Sequence, residues 1–151
     1  MTFSPKLYLD ANVFITAYET TGARSDHAWW LLDSVESGDV RAVTSELTLA
    51  EILVRPLRER ADDLAEAYRS VISAASSFEL VAVSRDILIA AARLRADHRA
   101  LKLPDAIHVA TAAGQLCQAF VTDDRRIPLP SGMSLLELGP HTLQQAFEGR
   151  S

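Results

Sequence analysis

A chain of 151 residues, 48% of them hydrophobic, with a formal net charge of −5, is long enough to bury a core without disulfide or metal staples. A chain of this size hides roughly 68–70% of its unfolded surface. No apolar run reaches the ~18–20 residues that span a bilayer, the acidic balance argues against a protein that coats duplex DNA, and the lone Cys117 excludes an internal disulfide. The opening Met-Thr-Phe-Ser-Pro-Lys lacks a basic region followed by an apolar core, so no secretion signal is expected, and a single thiol suits a reducing, cytoplasmic location.

Lys6-Leu7-Tyr8-Leu9 reads as a short strand that ends in Asp10, and a helical run from Val13 to Tyr18 follows before fading at Thr20-Thr21-Gly22. Ser25-Asp26 is a helix-start signal for an amphipathic stretch that Gly38 stops. Val40 to Thr44 alternates like a strand and runs into a helix that Ser45 caps, with Pro56 expected to break or kink it. A longer helix is predicted from about Leu57 to Ser76. A third strand spans Phe78 to Val83, and Ser84 caps a helix from Arg85 to about His98. Pro104 opens the next helix, Asp105 to Cys117. Ala119 to Thr122 is a fourth strand, and a Pro/Gly-rich loop, Ile127 to Gly132, precedes a last one at Met133 to Leu138. Strands separated by helices predict an α/β protein, a single three-layer α/β/α domain over residues 1–151 with a mostly parallel central sheet.

Four places in this order carry acids that such a sheet brings to one edge. Asp10 ends strand one, Glu51 lies two turns into the helix after strand two, Asp105 is in the first turn of the Pro104 helix, and Asp123-Asp124 follow strand four. Singly, each has an ordinary reading: Asp10 as a cap, Asp105 as a helix-start acid, Asp123-Asp124 with Arg125-Arg126 as a solvated turn. Glu51 is the most telling. Leu47, Leu49, Ala50, Ile52, Leu53 and Val54 surround it on its own helix, so its carboxylate either pairs with a residue such as Arg55 or serves a shared site.

Together the motifs resemble those of the PIN-domain ribonucleases, in particular the VapC toxins of toxin–antitoxin pairs. The matching stretches are Tyr8 to Ile15, Ser45 to Ile52, Leu103-Pro104-Asp105-Ala106-Ile107-His108-Val109-Ala110-Thr111-Ala112, and Phe120-Val121-Thr122-Asp123-Asp124-Arg125. The resemblance places the family's four acids on Asp10, Glu51, Asp105 and Asp124 as catalytic metal ligands, with Asp123 in a variable slot. Asn12 and Thr122 match flanking polar positions that orient a carboxylate, water or phosphate. His108 lies one turn after Asp105 on the same face and reads as a packing or supporting residue.

The resemblance implies a Mg²⁺-dependent endoribonuclease, with Mn²⁺ as a substitute, that cleaves RNA with metal-activated water. It also implies a cognate VapB-like antitoxin, a homodimer and no membrane association. Trp29, Trp30, Leu31, Ile52, Leu53 and Leu57 are expected to supply more apolar surface than one sheet face needs, with the two tryptophans divided between core and partner surface. A housekeeping RNA-processing nuclease would use the same chemistry. A metal-dependent phosphatase or phosphotransfer domain is disfavoured by Asn12, which stands where an Asp-x-Asp pair needs its second acid, and by Ser84, where a phosphorylatable Asp would end the third strand. A metal-poor interaction module predicts gaps in the acidic set, and there are none. His27, His98 and His141 lack partners at zinc spacing, and no Gly-rich phosphate loop follows strand one.

Overall fold

The computed structural model describes residues 4–73 and 76–148. Helices separate all the strands but the last two: β1 (Lys6–Leu9), α1 (Ala11–Glu19), α2 (Ala23–Glu36), β2 (Arg41–Ser45), α3 (Glu46–Arg58), α4 (Asp62–Val71), β3 (Glu79–Val81), α5 (Arg85–Asp97), α6 (Leu103–Gly114), β4 (Ala119–Val121), β5 (Ser134–Leu136) and α7 (Thr142–Glu148). Every strand pair is parallel, in the order β3-β2-β1-β4-β5. Helices cover both faces, the three-layer arrangement expected, with a sheet that is wholly rather than mostly parallel.

The period of two along β1 divides the core. Leu7 and Leu9 face one layer and pack with Val13, Phe14, Leu31, Val35 and Tyr68. Tyr8 faces the other, where Val43, Phe120, Val109 and Cys117 join it, and its ring stacks on Phe120 at 4.9 Å between centroids. All three β1 residues are fully buried, as the centre of a parallel sheet requires. The strand order reverses between β1 and β4, so a crevice opens beyond their carboxyl ends.

Several local expectations hold because the capping chemistry is explicit. The Ser45 hydroxyl accepts from the Leu47 amide at 3.0 Å, and Ser84 accepts from Ile87 at 3.2 Å. Others fail for identifiable reasons. Ser25 does not cap α2: the helix starts two residues earlier behind Gly22, whose φ of 108° suits only glycine, and Ser25 is buried with its hydroxyl toward the Ala17 carbonyl. Pro56 does not end α3, because it falls in the last turn. The stop comes from Arg60 at φ 55°, with Ala61 donating to the Pro56 carbonyl and Arg60 to that of Leu57, a Schellman closure. That closure also splits the long helix expected from Leu57 to Ser76, leaving α4 at Asp62–Val71, while residues 74 and 75 lie outside the described set. The short α7, seated through Ala146, was not expected. Trp30 is about half exposed and Trp29 a little over a third, and neither is core; Trp29 packs on the Tyr18 ring and donates its indole N–H to the Ala17 carbonyl.

The same closure ends α6, where Leu116 sits at φ 57° with its side chain 83% exposed, Cys117 donates to Ala112 and Leu116 to Ala113. A left-handed non-glycine residue carries strain of about 1–2 kcal/mol, partly offset by the larger unfolded-state entropy of glycine. Leu116→Gly is therefore expected to raise the melting temperature by about 1–4 °C, a net gain of roughly 0.5–1 kcal/mol on a chain of this length. Differential scanning calorimetry checks this, and a lowered midpoint would show that the exposed leucine contributes packing after all.

Candidate active site

Asp10 continues β1 by one extended residue and so projects on the Tyr8 face, toward α6. Its backbone amide donates to the Val121 carbonyl at 3.2 Å, extending the β1–β4 pairing to the crevice. One carboxylate oxygen accepts from the Ala11 amide at 2.7 Å and caps α1. The other accepts from the Thr122 hydroxyl at 2.9 Å. Thr122 is itself buried, so the flanking polar residue inferred from sequence does orient a carboxylate. Asn12, one residue into α1, is exposed.

Asp105 is the third residue of α6, after Lys102 as the cap and Pro104 in the first turn. The helix dipole favours its charged form, yet the Asp105 carboxyl is raised from the usual aspartate range. Burial is the leading cause, and the charges of Asp10, Asp124 and Glu51 add to it. The Asp10 carboxyl is raised for the same first reason, with Glu51 adding a smaller push. The four acids named from sequence therefore share one electrostatic neighbourhood, although they come from β1, α3, α6 and the loop after β4. Two of them are also engaged elsewhere. Asp124 accepts from the Arg126 amide at 3.0 Å and from its guanidinium at 3.2 Å, and these contacts lower its carboxyl below the usual range. Glu51 is only partly exposed and bonds the Nε2 nitrogen of His108. Arg55, the partner considered from sequence, instead meets Glu19 and Glu59.

His108 is the residue that sequence reasoning undervalued. It is 1% exposed, stands one turn along α6 from Asp105, and bridges Glu51 to the Tyr8 hydroxyl, which lies 2.5 Å from its Nδ1. Beneath it, Thr44 donates to the Leu9 carbonyl at 2.9 Å, so Thr48 must be the donor in its 2.8 Å bond to Thr44. The signal was in the spacing: Tyr8 shares a strand face with Asp10, and His108 shares a helix face with Asp105. Asp123 faces away from this group, pairing with exposed Arg24 beside a separate cleft of about 410 Å³.

Among the described residues, no three or more His, Cys, Asp or Glu side chains are grouped so as to hold a metal ion as they stand. The donors are nonetheless of the right kind for a hard divalent cation: carboxylate oxygens whose mutual repulsion and burial disfavour their charged forms until a cation joins them. A cleft of about 480 Å³ opens beside Asp105 and Asp124, and its remaining wall includes Arg99, Lys102 and Arg126. Two acids and three cations thus line the same cleft.

A parallel sheet with acids converging at its switch point defines an α/β domain with a carboxylate-lined crevice. The chain belongs to the PIN domain family, whose model matches residues 7–130. No curated protein matches the chain. Among solved structures it is similar to a toxin–antitoxin complex from Klebsiella pneumoniae, at 23% identity and a TM-score of 0.64 over 84% of this chain and 94% of that one. It is also similar to VapBC2 from Rickettsia felis bound to a fragment of its promoter DNA (16% identity, TM-score 0.67, 87% and 98% covered). A third is the sarcin–ricin loop cleaving toxin VapC20 from Mycobacterium tuberculosis (19% identity, TM-score 0.67, 80% and 92% covered).

Because Asp105 is raised above the 3.8 of an ordinary aspartate, its neutral form is favoured by folding. The stability it contributes is fully present below that value and is lost as pH rises through its folded pKa. Asp105→Asn, which is neutral throughout, is thus expected to raise the melting temperature of the metal-free protein at pH 7 and to leave it nearly unchanged near pH 4. Thermal melts in chelator at the two pH values measure this. An equal effect at both would remove the clustered-charge account.

Proposed function

We propose that this PIN domain, with residues 1–151 as one unit, is a Mg²⁺- or Mn²⁺-dependent endoribonuclease and the toxin of a toxin–antitoxin pair. What supports the reading is the electrostatic influence of Asp10, Glu51 and Asp124 on Asp105, beside a cleft that Asp105 and Asp124 line together with Arg99, Lys102 and Arg126. The four acids would hold the ion directly or through water. A bound divalent ion supplies an activated water and neutralises charge building on the phosphate. The chain's own part is to place donors and hold the strand: Asp10 is fixed by Thr122 and the α1 amide, and the cationic wall meets flanking phosphates. No protein nucleophile is required, so attack by water leaves a 5′-phosphate and a 3′-hydroxyl.

The toxin role draws support from the similar structures, which include toxin–antitoxin complexes and an RNA-cleaving toxin. A VapB-like antitoxin that inserts an arginine into the acidic crevice would pair with the carboxylates and exclude metal. Surface for it and for a homodimer comes from a set partly different from the one expected: Leu31 and Ile52 are core, whereas Trp30, Val54 and Leu57 are about half exposed. No described helix is long and apolar enough to cross a membrane, and we place the protein in the cytoplasm.

Incubation of the purified chain with single-stranded RNA and Mg²⁺ should give 5′-phosphorylated fragments, and chelator should stop the reaction. Asp10→Asn or Asp105→Asn should lower cleavage by more than the ~10–100-fold that loss of a ligand's supporting partner produces. Cleavage that persists in chelator, or in both variants, would overturn the site. For the toxin role, expression of the wild-type chain alone should arrest growth and expression of Asp10→Asn should not; a wild-type chain that is active yet harmless points to RNA processing instead.

A further inference from the structure

The crevice contains one acid whose orientation is not set by its own element. Asp10 is held by two hydrogen bonds at a strand end, and Asp105 stands at a helix start. Glu51 projects from the middle of α3 on a long side chain with many rotamers, and about a third of it is exposed. Its neighbour one turn on, Arg55, is taken by Glu19 and Glu59. Among the described residues its hydrogen-bond partner is His108, which is almost wholly buried and belongs to the helix that carries Asp105.

The protons in this chain of groups can be assigned. A carboxylate only accepts, so Nε2 of His108 carries the hydrogen that meets Glu51. With Nε2 as that donor, Nδ1 is left to the Tyr8 hydroxyl, which lies 2.5 Å from it. Tyr8 is itself immobile, stacked on Phe120 in the centre of the sheet. One buried histidine therefore ties a carboxylate on α3 to the strand that bears Asp10 and to the helix that bears Asp105.

We propose that His108 is a positioning residue for the metal centre: anchored by Tyr8, it turns one oxygen of Glu51 inward and leaves the other facing the crevice at a set distance from Asp10 and Asp105. This inference rests on the metal-dependent reading above and adds to it a determinant of cation affinity. Such outer partners fix the orientation and basicity of a ligand, and their loss typically weakens metal binding by about 10–100-fold.

The test is calorimetric titration of the full chain with Mn²⁺ alone, accompanied by metal-free melts to show that each variant is folded. His108→Leu fills the site but has no donor, and its Mn²⁺ dissociation constant should rise by about 10–100-fold. His108→Gln, which can still donate to Glu51, should recover most of the loss, an outcome that packing alone does not predict. Tyr8→Phe keeps the ring stack and removes only the anchor, and should weaken binding by a few-fold. A folded His108→Leu with wild-type affinity overturns the inference, as does a His108→Gln no better than His108→Leu. If His108→Leu does not fold, an unchanged dissociation constant in Tyr8→Phe overturns it equally. Wild-type protein that binds neither Mn²⁺ nor Mg²⁺ removes the metal-dependent reading itself, and this inference with it.

Discussion

The side chain of Asp10 joins three elements at the point where the sheet changes direction. One oxygen caps α1, the other takes the Thr122 hydroxyl at the end of β4, and the backbone amide prolongs the β1–β4 ladder. Each of these bonds engages a carboxylate or an amide that burial would otherwise leave unpaired at a penalty of roughly 1–3 kcal/mol. The consequence is that an acid whose charged form burial opposes is also the one least free to move away from its neighbours. Burial raises its carboxyl despite two hydrogen bonds that favour the charged form, so desolvation is the stronger effect at this position.

The helices around Asp10 place the other acids by different means. Asp105 is carried by a helix whose start is set by Pro104 and whose end is closed at Leu116, so its position follows from the rigid seating of α6 on Tyr8, Phe120 and Val43. Glu51 depends on α3, which Ser45 starts and which Ile52 anchors in the opposite layer. These two helices approach the sheet from different clusters, and the polar chain from Tyr8 to His108 to Glu51 crosses between them. Among the described residues no buried polar side-chain atom lacks a partner, so this crossing is fully satisfied rather than strained.

Much of the sheet was legible because buried parallel strands write themselves as short apolar runs between caps, and Ser45 and Ser84 cap where their side chains say they should. The candidate acids were legible for a related reason: strand-to-helix junctions in such a sheet fall on one edge. What could not be read depends on contacts between distant residues. Ser25 looks like a cap until Ala17 is seen above it, and Pro56 looks like a breaker until Arg60 closes the helix two residues beyond Arg58. Trp29 and Trp30 read as divided between core and partner surface, but α2 buries Ala28, Leu31, Leu32 and Val35 instead, and both indoles stay outside the core. His108 stays open between packing and support because a sequence shows its helix face and not the phenol and carboxylate that meet it across 100 and 57 residues.

The four acids consequently differ in how firmly they are held. Asp10 is bonded on both oxygens in the core, and Asp105 rides a helix start. Glu51 is tethered through one oxygen by a buried ring, and Asp124 sits in a loop on exposed Arg126. An exposed ion pair such as Asp124–Arg126 contributes on the order of 0–1 kcal/mol, so a cation can readily compete with the guanidinium for that carboxylate. The buried partners of Asp10 are not exchanged so easily. On the metal-dependent reading proposed above, Asp124 is therefore the acid freest to reorient toward a cation. Arg126, its present partner, lines the same cleft as Lys102 and Arg99.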